Sequence, residues 1–221
     1  SPERLKTRMF KDRLEKMNVG LIAVDEAHCI SEWGYDFRPS YLDIQELREK
    51  LPKVPVIALT ATATPKVAQD IIDKLALQDF SFFQKSFQRE NLAYITIATD
   101  FKEDRILEYA KRLKGSGIIY TDTRKNTKYL CDLLKRHKIT AHYYNGGLSS
   151  KERATKQEDW IQNKVKVMVA TNAFGMGIDK PDVRFVLHHH IPQSPEAYFQ
   201  EAGRAGRDLE PSRAILFFEQ N

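Results

Sequence analysis

Residues 21–41 read LIAVDEAHCISEWGYDFRPSY. Leu21, Ile22, Ala23 and Val24 form a short, apolar, partly β-branched run, the pattern of a strand buried on both faces of a parallel sheet. Asp25 and Glu26 follow at once, which puts two carboxylates at the carboxyl end of that strand. In open α/β sheets ligands bind just beyond those ends. Phosphoryl transfer needs one carboxylate to hold Mg²⁺ and another group to orient the attacking water, and adjacent acids supply both. A solvated acidic turn after a strand is the competing reading of the pair taken alone.

The segment that follows is crowded with rings. Trp33, Tyr35, Phe37, Arg38 and Tyr41 lie close together, with Gly34 and Pro39 breaking regular structure between them. Stacking platforms for single-stranded nucleic acid combine aromatic faces with arginine in this way, because every base offers a π-face. The alternative is a loop whose rings simply pack into a core. The residues DEAHCISEWGYDFRPSY resemble the DEAH motif and aromatic-rich loop of the RecQ-family DNA helicases, within superfamily 2. Glu32, Tyr35 and Ser40 stand where that family more often has glutamine, histidine and glutamate. The resemblance implies that Asp25 holds Mg²⁺ with ATP and that Glu26 orients water. It further implies that His28, with Thr60 and Thr62, couples the lobes, and that Trp33, Phe37 and Arg38 sense single-stranded DNA.

Downstream, residues 52–64 read PKVPVIALTATAT. Residues 54–59 are a second buried-strand candidate, with Thr60, Thr62 and Thr64 clustered at its end. A plain strand-to-helix turn, with a threonine cap before Pro65, explains the same residues. The run TATAT also resembles the helicase motif that couples hydrolysis to nucleic-acid grip. Val67, Ile71, Ile72 and Leu75 then recur at helical spacing. SFQRENLAY, residues 86–94, resembles the connector between two lobes, which sets domains of 1–88 and 89–221.

Helices are expected near residues 103–113, 125–137, 149–161 and from Ser194. Strands are expected at 118–120, 140–144, 165–170, 183–188 and 214–218. Ser149 with Glu152 makes a capping box for the third of these helices. Strands alternating with helices argue for a parallel, doubly wound sheet. The expected fold class is α/β, and the resemblance makes it two RecA-like parallel-sheet lobes of the P-loop NTPase type, the first incomplete.

QEAGRAGR, residues 200–207, is the second informative motif. On a helix started by Ser194 and Pro195, the side chains of Gln200, Gly203, Arg204 and Arg207 share one face. Two glycines within a helix cost roughly 1 kcal/mol each, a loss that close approach to a partner surface would offset. Arginines on that face suit charge stabilisation on a transferring phosphoryl group; a solvated basic face is the alternative. YFQEAGRAGRD resembles the last RecQ helicase motif, which implies that Gln200, Arg204 and Arg207 act on the phosphates.

ATNAFGMGID, residues 170–179, lacks the third glycine and distant acid of a dinucleotide fingerprint. It resembles instead a helicase motif touching both nucleic acid and nucleotide, which implies Thr171 near a DNA phosphate and Gly177 and Asp179 near the nucleotide. Thr121, Thr123 and Arg124 resemble the strand-end motif that holds the DNA backbone. Asn145 falls where the family usually has histidine, and its role stays open. His188, His189 and His190 alternate across a strand and so cannot all chelate one ion; no zinc site is expected.

The 221 residues are 42% hydrophobic and 29% charged with a net charge of +5, an ordinary globular composition tilted towards polyanionic partners. Cys29 and Cys131 are too few and too separated for a disulfide framework and read as reduced thiols. No apolar run reaches transmembrane length. A cytoplasmic protein, nuclear if eukaryotic, is expected, with single-stranded and partly duplex DNA and ATP as partners and no membrane. DNA repair and recombination are the processes implied by the resemblance. No glycine is followed by lysine, so the Gly-rich loop that cradles phosphates is missing. The chain therefore resembles the latter part of one lobe and all of the next, inactive as an ATPase by itself. Two other functions remain open: an inert, weakly nucleic-acid-binding module, and a superfamily 2 RNA helicase.

Overall fold

The computed structural model describes residues 1–34, 36–175 and 178–219. The chain divides into two compact units, Ser1–Lys85 and Ser86–Asn221. The first contains α1 (Arg8–Leu14), β1 (Ile22–Val24), α2 (Ile44–Lys50), β2 (Val56–Ala58) and α3 (Pro65–Lys74), with short 3-10 turns at Ala27–Ile30 and Pro39–Asp43. Strands β1 and β2 pair in parallel, Ile22 opposite Val56 and Val24 opposite Ala58. Thr64 caps α3 by accepting from the Val67 amide, and Pro65 takes the first turn, where its missing N–H costs nothing.

The expectation that β1 is buried on both faces is corrected. Ile22 and Val24 enter a core with Ala27, Ile30, Tyr41, Ile44, Val67, Ile71 and Leu75. Ala23 on the opposite face is exposed, and its neighbours Ile57 and Leu59 are 43% and 47% exposed. The helices of this unit cover one face of a two-stranded sheet, and the alternation of the pleat leaves the other side chains uncovered.

The second unit contains β3 (Leu92–Ala98), α4 (Lys102–Arg112), β4 (Ser116–Tyr120), α5 (Arg124–Arg136), β5 (Ala141–Tyr144), α6 (Ser150–Ile161), β6 (Val167–Ala170), β7 (Val183–His188), α7 (Pro195–Ala202) and β8 (Ser212–Phe218). Among the described residues the strands form one six-stranded sheet in the order β3-β8-β7-β4-β6-β5, every pair parallel. Side chains alternate between two cores: Ile119, Val169, Leu187 and Phe217 on one face, Ile118, Tyr120, Met168 and Trp160 on the other. Ser149 and Glu152 complete the expected capping box.

Strand β3 was not expected; its first three residues fall in the stretch that resembles the connector. It is an edge strand whose Ala93, Tyr94, Thr96 and Ala98 stay exposed, so no continuous apolar run marks it. The helix expected to run through residues 200–207 is also corrected: α7 stops at Ala202. Gly206 takes a left-handed φ of 62°, where a Cβ would lie 2.6 Å from Asn91 Nδ2 and 2.7 Å from Ser212 Oγ. Its glycine serves a tight turn against its own unit, not a partner surface.

Gly117 in β4 answers a different need. An added Cβ there would lie 2.0 Å from the Phe185 ring, and Trp160 Nε1 donates to the Gly117 carbonyl at 3.2 Å. Overpacking of this kind costs about 1–3 kcal/mol. Gly117→Ala should therefore lower the thermal midpoint of the second unit by several degrees; a midpoint equal to wild type would mean that the ring does not sit against this backbone.

Candidate functional site

Asp25 stands exposed at the carboxyl end of β1, and its Oδ1 accepts from the Glu26 amide at 2.9 Å. Glu26 has a left-handed backbone, φ 50°, although it carries a Cβ. Strain of roughly 1–2 kcal/mol at such a residue persists only where its surroundings hold it. They do: the Ala27 amide donates to the Leu59 carbonyl at 2.9 Å, and Tyr41 Oη donates to the Asp25 carbonyl at 3.2 Å. His28 is buried, with Nδ1 3.0 Å from Thr60 Oγ1 and 3.4 Å from Glu26 Oε2. Burial pushes its pKa below the ordinary value, which favours the neutral ring. Thr60 Oγ1 also accepts from the Thr62 amide at 3.3 Å. Thr62 Oγ1 is buried with no hydrogen-bond partner among the described residues. His28, Thr60 and Thr62 thus lie together within the first unit.

The aromatic loop rests on α3, which sequence reasoning missed. Lys66 Nζ sits 3.1 Å from the Trp33 ring centroid, Asp70 accepts from Ser31 Oγ at 2.7 Å, and Lys74 donates to the Ile30 carbonyl at 3.1 Å. Lys74 also lies 5.9 Å from the Phe37 ring. These residues recur at i, i+4 and i+8, one helix face. That spacing was legible, but its partners on a distant loop were not. Trp33 is 64% exposed. Arg38 donates through Nε and Nη2 to Asp36 Oδ2 at 3.1 and 2.7 Å. Tyr35 lies outside the described residues.

Among the described residues His28, Cys29 and Asp36 form the one group of donors close enough to hold a metal ion. Cys29 Sγ donates to Asp36 Oδ2 at 3.7 Å, the same oxygen that Arg38 engages twice. Burial and the facing Asp36 push the Cys29 thiol up to about 12, so it stays protonated. The trio is a hydrogen-bonded wedge under the loop.

In the second unit Thr121, Thr123, Arg124 and Thr171 gather at the carboxyl ends of the parallel strands, whereas Asp179 and Arg207 meet beside the start of β7. Thr121 follows β4, and Thr123 caps α5 by accepting from the Asn126 amide. Arg124 lies beside the turn at Gly147, where an added Cβ would meet its Nη1 at 3.3 Å. Asn145 shapes that turn: its Oδ1 accepts from the Gly147 amide at 3.0 Å and its Nδ2 donates to Thr127 Oγ1 at 2.9 Å. Thr171 is buried after β6, and its Oγ1 accepts from the Ala173 amide at 3.4 Å. Gly177 lies outside the described residues.

Gln200, on α7, is half-buried. Arg204 is buried beyond the helix end, with Nε unpartnered among the described residues. Arg207 donates through Nη1 to Asp179 Oδ1 at 2.9 Å and to the Ile178 carbonyl at 3.2 Å. The two arginines therefore leave a turn, not one helical face. His188 pairs with Glu201 at 3.0 Å and His189 with Glu103 at 3.4 Å, so neighbouring rings diverge.

Residues 1–71 match the DEAD/DEAH box helicase family, and residues 102–208 match the helicase conserved C-terminal domain. Over 220 residues the chain is 46% identical to the probable ATP-dependent DNA helicase RecS of Bacillus subtilis, an alignment covering 98% of this chain and 44% of that protein. It is 47% identical to the ATP-dependent DNA helicase RecQ of the same organism, over 99% of this chain and 37% of that protein. The chain belongs to the RecQ family of helicases. It spans less than half the length of these two RecQ-family relatives. A solved structure of the Mycobacterium smegmatis helicase Lhr bound to ssDNA and AMP-PNP superposes with a TM-score of 0.76 at 22% identity, over 98% of this chain and 31% of that one, and shows the shared fold.

Of the two tryptophans, Trp33 is exposed and Trp160 is fully buried. Trp33→Phe should remove most of the fluorescence that acrylamide can quench in this RecQ-family chain. Quenching that survives the substitution would mean that the loop ring is not at the surface.

Proposed function

We propose that these residues are part of the motor core of a DNA helicase that couples ATP hydrolysis to translocation on, and unwinding of, DNA. The observation that carries this reading is the seating of His28 between Glu26 and Thr60, directly ahead of a ring-bearing loop. A change at the acids is thereby felt at the threonine segment and at the loop through hydrogen bonds, not through a long lever.

Asp25 is an exposed hard oxygen donor at a strand end and fits Mg²⁺. Bound there with ATP, the ion would neutralise charge on the phosphate oxygens. Glu26, held by its strained backbone, orients the hydrolytic water. Arg204 and Arg207 stabilise charge on the transferring phosphoryl group, with Gln200 beside them. Arg207 can exchange Asp179 for a phosphate at little cost, because an ion pair this exposed contributes only about 0–1 kcal/mol. Gly177 and Asp179 serve the nucleotide side of the same segment. The phosphate-cradling loop would have to come from residues outside these 221, since no glycine here precedes lysine.

Thr121, Thr123, Arg124 and Thr171 suit the DNA backbone, because hydroxyls, guanidinium and the first turn of α5 all bind phosphate. Trp33, Phe37 and Arg38 sense the unpaired strand. Lys66 covers one face of Trp33. Stacking of a base is worth about 1–3 kcal/mol against about 0.5–1 kcal/mol for an exposed cation–π contact, so a base outcompetes the lysine.

In the complete gene product, Arg207→Ala should retain DNA binding and lose most ATP turnover, by about 1,000-fold if it acts as an arginine finger. Unchanged turnover would refute that role. Trp33→Ala should lose the DNA-stimulated increment of turnover, and a variant stimulated as strongly as wild type would remove the loop from the mechanism.

A further inference from the structure

The segment entering the second unit carries two polar side chains that the proposed function leaves unused. Arg89 donates through Nη1 to the Gly203 carbonyl at 3.0 Å and through Nη2 to the Gly206 carbonyl. Asn91 donates through Nδ2 to the Gly206 carbonyl at 2.8 Å and the Glu210 carbonyl at 3.0 Å. The Asn91 carbonyl accepts from the Ser212 amide at 2.8 Å, which ties this anchor to the start of β8.

These bonds bracket the stretch from which Arg204 and Arg207 project. After α7 ends, the Arg204 and Ala205 amides reach back only three residues, to the Glu201 and Ala202 carbonyls, and the Gly206 amide turns to the Val183 carbonyl. A turn of this kind has few bonds of its own to hold its course. The Arg89 guanidinium spans the Gly203 and Gly206 carbonyls with one planar fork, a task to which the single-point ammonium of lysine is not suited.

We propose that Arg89, supported by Asn91, is a positioning residue that presents Arg204 and Arg207 to phosphate by clamping the carbonyls on either side of them. The proposal rests on the phosphate-binding role given above to those two arginines. Arg89 touches no reacting atom in this scheme. It fixes the backbone, and small misplacement of a charge-stabilising group is costly in rate.

The test uses the complete gene product carrying Arg89→Ala, Arg89→Lys, Arg207→Ala or the Arg89→Ala/Arg207→Ala pair. Steady-state ATP turnover and amide hydrogen exchange are measured on each. Both Arg89 variants should lower kcat by about tenfold or more with a much smaller change in KM. Free guanidinium should restore part of the Arg89→Ala loss, which a general loss of packing would not allow. The double variant should lose less than the product of the two single losses, because once Arg207 is gone Arg89 acts only through Arg204. Exchange at the amides of residues 204–208 should speed up in Arg89→Ala while β4 and β6 stay protected.

Wild-type kcat in both Arg89 variants, or multiplicative losses in the pair, would overturn the clamp. So would unchanged exchange in the turn, whatever the turnover. If Arg207→Ala proves fully active while exchange in the turn still speeds up in Arg89→Ala, the clamp stands and the assignment of Arg207 to the phosphates falls.

Discussion

In both units every described strand runs in the same direction as its neighbours. Parallel pairing forces each connection to cross back over the sheet, so the segments leaving the strands collect at one edge. The acids after β1 and the threonines after β2 meet for this reason. In the second unit the same constraint collects Thr121, Asn145 and Thr171 after β4, β5 and β6. Chemistry-bearing residues far apart in sequence need no special device to converge; the sheet does it.

Within the first unit, a neutral buried histidine is what turns that convergence into a connection. Desolvation disfavours the charged ring, and Nδ1 of His28 faces both Glu26 and Thr60. The rest of the neighbourhood is held by unlike forces: backbone hydrogen bonds fix the strained Glu26, and a lysine–ring contact with two polar bonds from α3 fixes the aromatic loop. Mixed contacts of this kind are individually small. They would suit the base exchange proposed for this loop, since none of them alone locks it.

The second unit solves a different problem. Two arginines leave one short stretch, and a continuous helix would have pointed them along a fixed face. The left-handed backbone at Gly206 instead turns the chain, and carbonyls that the helix would have used are taken by Arg89 and Asn91. Gly206 is needed for this turn, and because α7 ends at Ala202 neither glycine of the motif carries a helix-interior penalty.

Apolar runs and caps are local signals, and they made most of the architecture readable. The runs at β1, β4, β6 and β7, the Thr64-Pro65 start and the Ser149–Glu152 box all depend on neighbours a few residues away. Motif spacing likewise singled out Asp25, Glu26, His28, Arg204 and Arg207 as residues to find. Edge strand β3 escaped because half its side chains face water, and the end of α7 escaped because helical periodicity does not register a turn imposed from Asn91. The bare face of β1, the seat of the aromatic loop on α3 and the Arg89 clamp were decided only in three dimensions. Each depends on which distant segment supplies a hydrogen-bond partner or covers a surface, and the periodicity of a chain carries no record of that.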